Sequence, residues 1–177
     1  MIQVTCIDIY DRPKKDVQET YRLQWNLNYP VPRNDFPEGE KFDLINSRFL
    51  VDGIGKDRWE PLIGEYKKLL KRGGWLQMAE VQWIFHSKSN HALPELARWS
   101  EAFYDALRSK DRRPDVASKL DQFVRFGGFA SADDKTHDIP VGSWRPGKCS
   151  HMFLLTALRA ARLTDIQKTN AMKVPSP

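Results

Sequence analysis

The chain has 177 residues, with 28 lysines and arginines against 23 aspartates and glutamates, so its formal net charge is +5. A hydrophobic share of 41% and a charged share of 29% are ordinary for a globular protein, and this length holds one domain with a sizeable core. The basic residues are scattered and mostly terminate predicted helices, with no aromatic-interleaved stripe, so no nucleic-acid partner is expected.

No apolar run approaches the roughly 20 residues of a membrane helix, so no membrane partner is expected either. Met1 leads directly into IQVTCIDIY, without the basic flank and small-residue cleavage site of a secretory signal. The two cysteines, Cys6 and Cys149, make neither a disulfide framework nor a metal set, and Cys6 reads as a small core residue. A reducing, cytoplasmic (intracellular) setting fits.

Val4 to Ile9 is apolar and β-branched, then polar at Asp8 and broken by Asp11, Arg12 and Pro13. This predicts a buried parallel strand with a carboxylate near its end. Such a carboxylate either leaves the strand for solvent or accepts from the ribose hydroxyls of a nucleoside. Lys14 to Tyr21 is polar and reads as one or two helical turns. Tyr21 to Leu27 alternates as a second strand, with Leu23, Trp25 and Leu27 on one side. A loop rich in Pro, Asn, Asp and Gly then runs from Pro30 to Gly39.

The firmest pattern is Phe42 to Glu80. Phe42 to Ile45 is a short apolar strand. From Trp59 the apolar positions Leu62, Ile63, Tyr66, Leu69 and Leu70 mark one face of a helix. Asp57 is placed to cap it, and Lys67, Lys68, Lys71 and Arg72 crowd the last turn, where the helix dipole favours cations. Gly73 takes the left-handed stop, and Trp75 to Ala79 resume as a strand that continues to Phe85. Strand, helix and strand at this spacing form a parallel crossover unit.

Beyond it, Ser87 to Asn90 is loop, and Pro94 opens a helix carrying Leu96, Trp99, Phe103 and Leu107. Lys110 to Arg113 break it. Pro114 opens another helix with Val116, Leu120, Phe123 and Val124 inward, stopped by Gly127 and Gly128. Phe129 onward is strand-like as far as IPVGSW. Met152 to Leu163 reads as a last helix, followed by a frayed tail. No P-loop, no Ser in a strand-to-helix elbow and no metal-ligand spacing among the four histidines is visible, so no metal is expected.

In their order, VTCIDIYDRP, FDLINSRFL with LLKRGGWLQMAE, FGGF and IPVGSW resemble the class I S-adenosylmethionine-dependent methyltransferases. More narrowly, they are similar to the fungal methyltransferases of secondary-metabolite gene clusters, over about residues 3 to 147. The resemblance implies a Rossmann-like, doubly wound, mostly parallel α/β sheet with additional helices in the C-terminal half. One methyltransferase-like domain is expected over residues 1–163, with a flexible tail over 164–177. That family's first strand and glycine-rich loop belong before VTCIDIY, so the sheet is expected to be incomplete and the domain truncated. Its open strand edges then invite a protein partner or a second copy of the chain to complete the sheet.

The same resemblance implies S-adenosylmethionine as cofactor and methyl transfer to a hydroxyl of a small natural-product acceptor. Asp8, with Ile9, matches the residue that holds the cofactor's ribose. Asn26, Leu27 and Asn28 lie where relatives approach the adenine. Asn46, Ser47 and Arg48 match the end of the strand facing the cofactor's methionine portion and the acceptor. His86 is the candidate base. The alternative is a catalytically inactive methyltransferase-like protein, acting as an interaction partner or a non-methylating pathway enzyme.

Overall fold

The computed structural model describes residues 3–10, 20–32, 36, 41–87, 89 and 91–139. The expected turns within 14–19, the loop positions Asn34, Asp35, Pro37 and Gly39, the PVGSW segment with Trp144, Cys149, the helix over 152–163 and the tail lie outside the described residues. The chain separates into two units, Met1–Asp134 and Lys135–Pro177. Every element below belongs to the first; in the second, residues 135–139 carry no regular structure.

The first unit is mixed α/β. Its strands are β1 (Val4–Asp8), β2 (Thr20–Gln24), β3 (Phe42–Arg48) and β4 (Leu70–Ala79). Its helices are α1 (Trp59–Leu69), α2 (Pro94–Ser109) and α3 (Leu120–Phe126), the last preceded by a 3-10 turn at Val116–Lys119. The strands form two separate parallel pairs, β1 with β2 and β3 with β4. β3, α1 and β4 thus make the parallel crossover that the hydrophobic spacing predicts.

The helix forms because Trp59, Leu62, Ile63, Tyr66 and Leu69 recur on one face and are all buried. Trp59, Leu62 and Ile63 have 0% exposure, and burying each apolar side chain of this kind contributes about 1.5–3 kcal/mol. Val31, Phe36, Val51, Ile54, Leu107, Val116 and Phe123 complete this core. Ile7 and Leu23 from one strand pair, and Ile45, Leu76 and Met78 from the other, pack against it. Both pairs therefore share one core without sharing a hydrogen-bonded edge.

The start of β4 is irregular. Phe42 pairs with Leu70, but Leu44 already pairs with Trp75, so Asp43 faces a bulge of residues 71–74. Two glycines make the bulge possible. Gly73 sits at φ +80°, and a Cβ on Gly74 would lie 3.0–3.2 Å from the carbonyl oxygens of Lys71, Phe42 and Asp43.

Several expectations are corrected. Cys6 is exposed rather than core, because among the described residues only β2 lies beside β1 and every second side chain faces outward. β2 spans Thr20–Gln24 rather than Tyr21–Leu27, because the chain turns at Asn26 once β1 has ended. The residue before α1 is Arg58, with no side-chain cap, so Asp57 does not cap it.

β4 ends at Ala79, not Phe85. Its partner β3 ends at Arg48, so residues 80–86 have no ladder to join. They keep the alternating pattern by packing Trp83 and Phe85 against α2. Trp99 stacks on Phe103 at 5.4 Å, and Trp83 meets both edge-on at 5.5 and 5.6 Å. On α2 itself, Leu96 is exposed at 39% rather than inward. The segment opened by Pro114 divides into the 3-10 turn and α3, and residues 129–139 form no strand.

Candidate functional site at the carboxyl ends of the strands

In open parallel sheets the loops leaving the carboxyl ends of strands carry the chemistry, because ligands seat outside those ends. At the end of β1, Asp8 is half-buried, and its Oδ1 accepts the Tyr10 N–H at 3.1 Å. Its carbonyl accepts the Trp25 N–H at 2.8 Å, which holds the ends of β1 and β2 level. Ile9 is exposed, and its carbonyl accepts from Gln24 Nε2 at 3.2 Å.

Past β2, Asn26 Oδ1 accepts both the backbone N–H and the Nδ2 of Asn28 at 3.0 Å. Asn28 then reaches across to the loop after β3. Its Nδ2 donates to the Gly53 carbonyl at 2.8 Å, and its Oδ1 accepts the Gly55 N–H at 2.7 Å. Arg58 repeats the link, donating to the carbonyls of Leu27 at 2.8 Å and Tyr29 at 2.9 Å. These bonds bring the carboxyl-end loops of β2 and β3 together, although among the described residues no strand joins the two pairs.

At the end of β3 the predicted trio divides. Asn46 and Arg48 are exposed, with Arg48 Nε donating to Asn46 Oδ1 at 2.9 Å. Ser47 is buried at 6% exposure and faces α1, where its Oγ accepts the Tyr66 hydroxyl at 3.5 Å. Burial pushes the Tyr66 hydroxyl pKa above its ordinary value, against the opposing hydrogen bond to Ser47. Leu27 likewise turns its side chain to the core and offers only its carbonyl outward. His86 is exposed on the irregular stretch beyond β4 rather than at a strand end.

Two residues at this edge escaped sequence reasoning. Glu80, directly after β4, accepts the Leu50 N–H at 2.8 and 3.0 Å and the Val51 N–H at 3.2 Å. Burial drives its carboxyl pKa up to about 7, with the two backbone donors opposing and the Asp52 charge adding to the rise. Phe49 stands at φ +55°, a left-handed conformation rare for a bulky side chain, and is 57% exposed. Its N–H donates to the Ala79 carbonyl at 3.0 Å. The available signal is a carboxylate at a strand end, as with Asp8, hidden for Glu80 because the alternating pattern runs on to Phe85 past the true end of β4 at Ala79.

An open hollow of about 520 Å³ lies beside these loops, lined by Asn28, Gly55, Lys56, Arg58, Asp111 and Arg112 among others. Lys56 pairs with Asp111 at 2.8 Å, so its charges are largely answered from within. None of Asp8, Asn26, Asn46, Ser47 or Arg48 lines it. Among the described residues, no group of three or more His, Cys, Asp or Glu stands together as metal ligands, and no helix is long and apolar enough to cross a membrane.

Chemically, the half-buried Asp8 carboxylate can accept from hydroxyl groups, and the Asn46 amide beside the Arg48 guanidinium can donate to a carboxylate. Among the described glycines, Gly53 and Gly55 follow β3, and Gly73 and Gly74 open β4, so none cradles a ligand at the end of β1.

No family model matches the chain. Among curated proteins it is similar to the methyltransferase pytC of Aspergillus terreus (strain NIH 2624 / FGSC A1156), at 30% identity over 112 residues. A second pytC methyltransferase of Aspergillus terreus matches at the same identity and length. The match takes in 62% of this chain and 34% of the relative, so the chain spans about a third of the length of the curated relatives it matches. The chain is thus similar, over most of its own length, to part of a fungal methyltransferase.

Proposed function

We propose that this chain serves S-adenosylmethionine-dependent methyl transfer, with the cofactor across the carboxyl ends of β1, β2 and β3 in a Rossmann-like class I arrangement. The acceptor is a small hydroxylated natural product of a secondary-metabolite pathway, as in the fungal branch the sequence resembles. The observation that carries this reading is the gathering of parallel-strand ends by Asn28 and Arg58, with the Asp8 carboxylate at the end of β1. The likeness to pytC supports methyl transfer as the chemistry.

When bound, the cofactor supplies a methyl group already activated on a sulfonium, so the protein's task is alignment and exclusion of water. Asp8 accepts from the ribose hydroxyls. Asn26 and the Leu27 backbone flank the base, and Arg48, steadied by Asn46, takes the methionyl carboxylate. Ser47 contributes indirectly by fixing β3 to α1 through Tyr66. His86 remains the candidate to receive the acceptor's proton.

A thermal-shift comparison tests the reading. S-adenosylmethionine and S-adenosylhomocysteine are expected to raise the melting temperature, while NAD and ATP at equal concentration leave it unchanged. Equal shifts by NAD would point to a generic ribose site and contradict methyl transfer.

One observation favours a second reading, a methyltransferase-like protein that does not methylate and works through a partner. Among the described residues the two strand pairs are unjoined, and parallel sheets are ordinarily extended and covered on both faces. A strand from a second copy, or from another protein, would complete the sheet. Sedimentation showing a stable dimer that takes up no S-adenosylmethionine would favour this reading over the first.

A further inference from the structure

We propose that Phe49 is the aromatic contact for the cofactor's sulfonium and that Glu80 is the residue that positions it. The inference rests on the methyl-donor reading above and deepens it.

Phe49 combines three features that are individually unfavourable. Its backbone is left-handed at φ +55°, where a bulky side chain is strained and glycine or asparagine would be at ease. Its ring is 57% exposed, so packing does little to offset that strain. It is nonetheless held firmly on both sides. Its own N–H donates to the Ala79 carbonyl at 3.0 Å, and the next two N–H groups donate to the Glu80 carboxyl at 2.8 to 3.2 Å. A turn that only reversed the chain would not need a phenylalanine at its strained position, nor a largely desolvated carboxyl behind it. Strain held in place by its surroundings at a strand end is a mark of function.

The chemistry at this point favours a cation. Phe49 is the first residue past β3, adjacent to Arg48 in sequence and hydrogen-bonded to the last residue of β4. Glu80 is braced behind the turn, and Asp52 lies close enough to influence it. An exposed aromatic face attracts positive charge, and a sulfonium, unlike the thioether left after transfer, carries it. Arg48 is steadied at its Nε by Asn46 and serves the anionic end of the same ligand. The turn would thus distinguish the loaded cofactor from the spent one.

The test is calorimetric titration of the full chain with S-adenosylmethionine and, separately, S-adenosylhomocysteine. The wild type is expected to favour the sulfonium form by about fivefold or more, the range of a partly desolvated cation–π contact. Phe49→Leu should abolish the preference by weakening the sulfonium form alone, while Phe49→Tyr should keep it. Phe49→Gly relaxes the backbone, so it should melt no lower than the wild type and still lose the preference. Glu80→Ala should reduce the preference, and Glu80→Gln, which retains one acceptor, should recover part of it. An unchanged preference in Phe49→Leu and Phe49→Gly, with the cofactor still bound, overturns this inference and leaves the methyl-donor site standing. A wild type that binds neither compound overturns both.

Discussion

Arg58 lies fork to fork against Glu65, with Nη1 to Oε1 at 2.9 Å and Nη2 to Oε2 at 2.6 Å, and both side chains are largely withdrawn from solvent. Arg58 also holds the carbonyls of Leu27 and Tyr29, while Glu65 takes the Val31 N–H at 3.0 Å. This pair therefore fixes residues 27–31 of the loop leaving β2 onto α1. Burial alone would raise the Glu65 pKa, but the hydrogen bonds from Arg58 and Val31 and the nearby positive charge hold it below the ordinary value.

Removing the cation leaves a half-desolvated carboxylate. Arg58→Leu is expected to cost about 3 kcal/mol in urea unfolding, and the double change Arg58→Leu with Glu65→Leu to cost less than the single one. Because the folded pKa is depressed, the pair's contribution is complete above the unfolded value and fades as pH falls through the folded one. The wild type should lose stability on acidification more steeply than the double variant.

Glu80 carries the opposite sign. Its pKa is raised from 4.5 to about 7, so between those values the folded chain holds a proton that the unfolded chain releases. Its contribution is therefore greatest below pH 4.5, declines as pH rises towards 7 and is level above. Melting curves across this window should show the wild type losing ground to Glu80→Gln as pH rises. Parallel curves would contradict the burial that the structure assigns to this carboxyl.

Ile63 and Gly127 set the approach of α1 to the end of α3. A Cβ on Gly127 would stand 2.7 Å from Ile63 Cγ2, and Ile63 is completely buried and stiff at its branched carbon. Gly127→Ala is expected to destabilise the chain by about 1–3 kcal/mol, the range for overpacking a core. Pairing it with Ile63→Ala should recover part of that loss, which denaturant titration of the three variants would read.

Two tryptophans should behave oppositely. Trp59 has 0% exposure, and its replacement by Ala is expected to cost about 3–5 kcal/mol. Its buried Nε1 has no hydrogen-bond partner among the described residues, so Trp59→Phe should cost much less. Trp75, 73% exposed and opposite the exposed Leu44, lies on the face of the β3–β4 pair away from α1. Trp75→Ser should change stability by less than about 0.5 kcal/mol. Thermal unfolding of these variants separates the two environments.

The crossover unit was legible because its signals are local. Apolar spacing marks the buried face of α1, and Pro94 opens α2; Gly73, expected as the helix stop, instead lies in the β4 bulge with Lys71 and Arg72, because α1 already ends at Leu69. What was not legible depends on distant partners. Whether β4 ended at Ala79 or Phe85 was set by where β3 ran out, and whether Cys6 was buried was set by how many strands flanked β1. At the site, the pattern placed Asp8 at the end of β1, while the resemblance alone pointed to Arg48, the last residue of β3, to Asn46 two residues before it, and to Asn26 two residues past β2. The inward turn of Ser47 followed from its place on the face of β3 that packs on α1 beside Tyr66, and the roles of Glu80 and Arg58 from loops brought close only by folding.

The measurement that bears most directly on the methyl-donor reading is calorimetric titration of the full chain with S-adenosylmethionine, beside Asp8→Ala. Binding in the micromolar range, weakened at least about tenfold by Asp8→Ala as expected for loss of charge-assisted hydrogen bonds, is the predicted result. A folded, monomeric wild type that takes up no S-adenosylmethionine would contradict it.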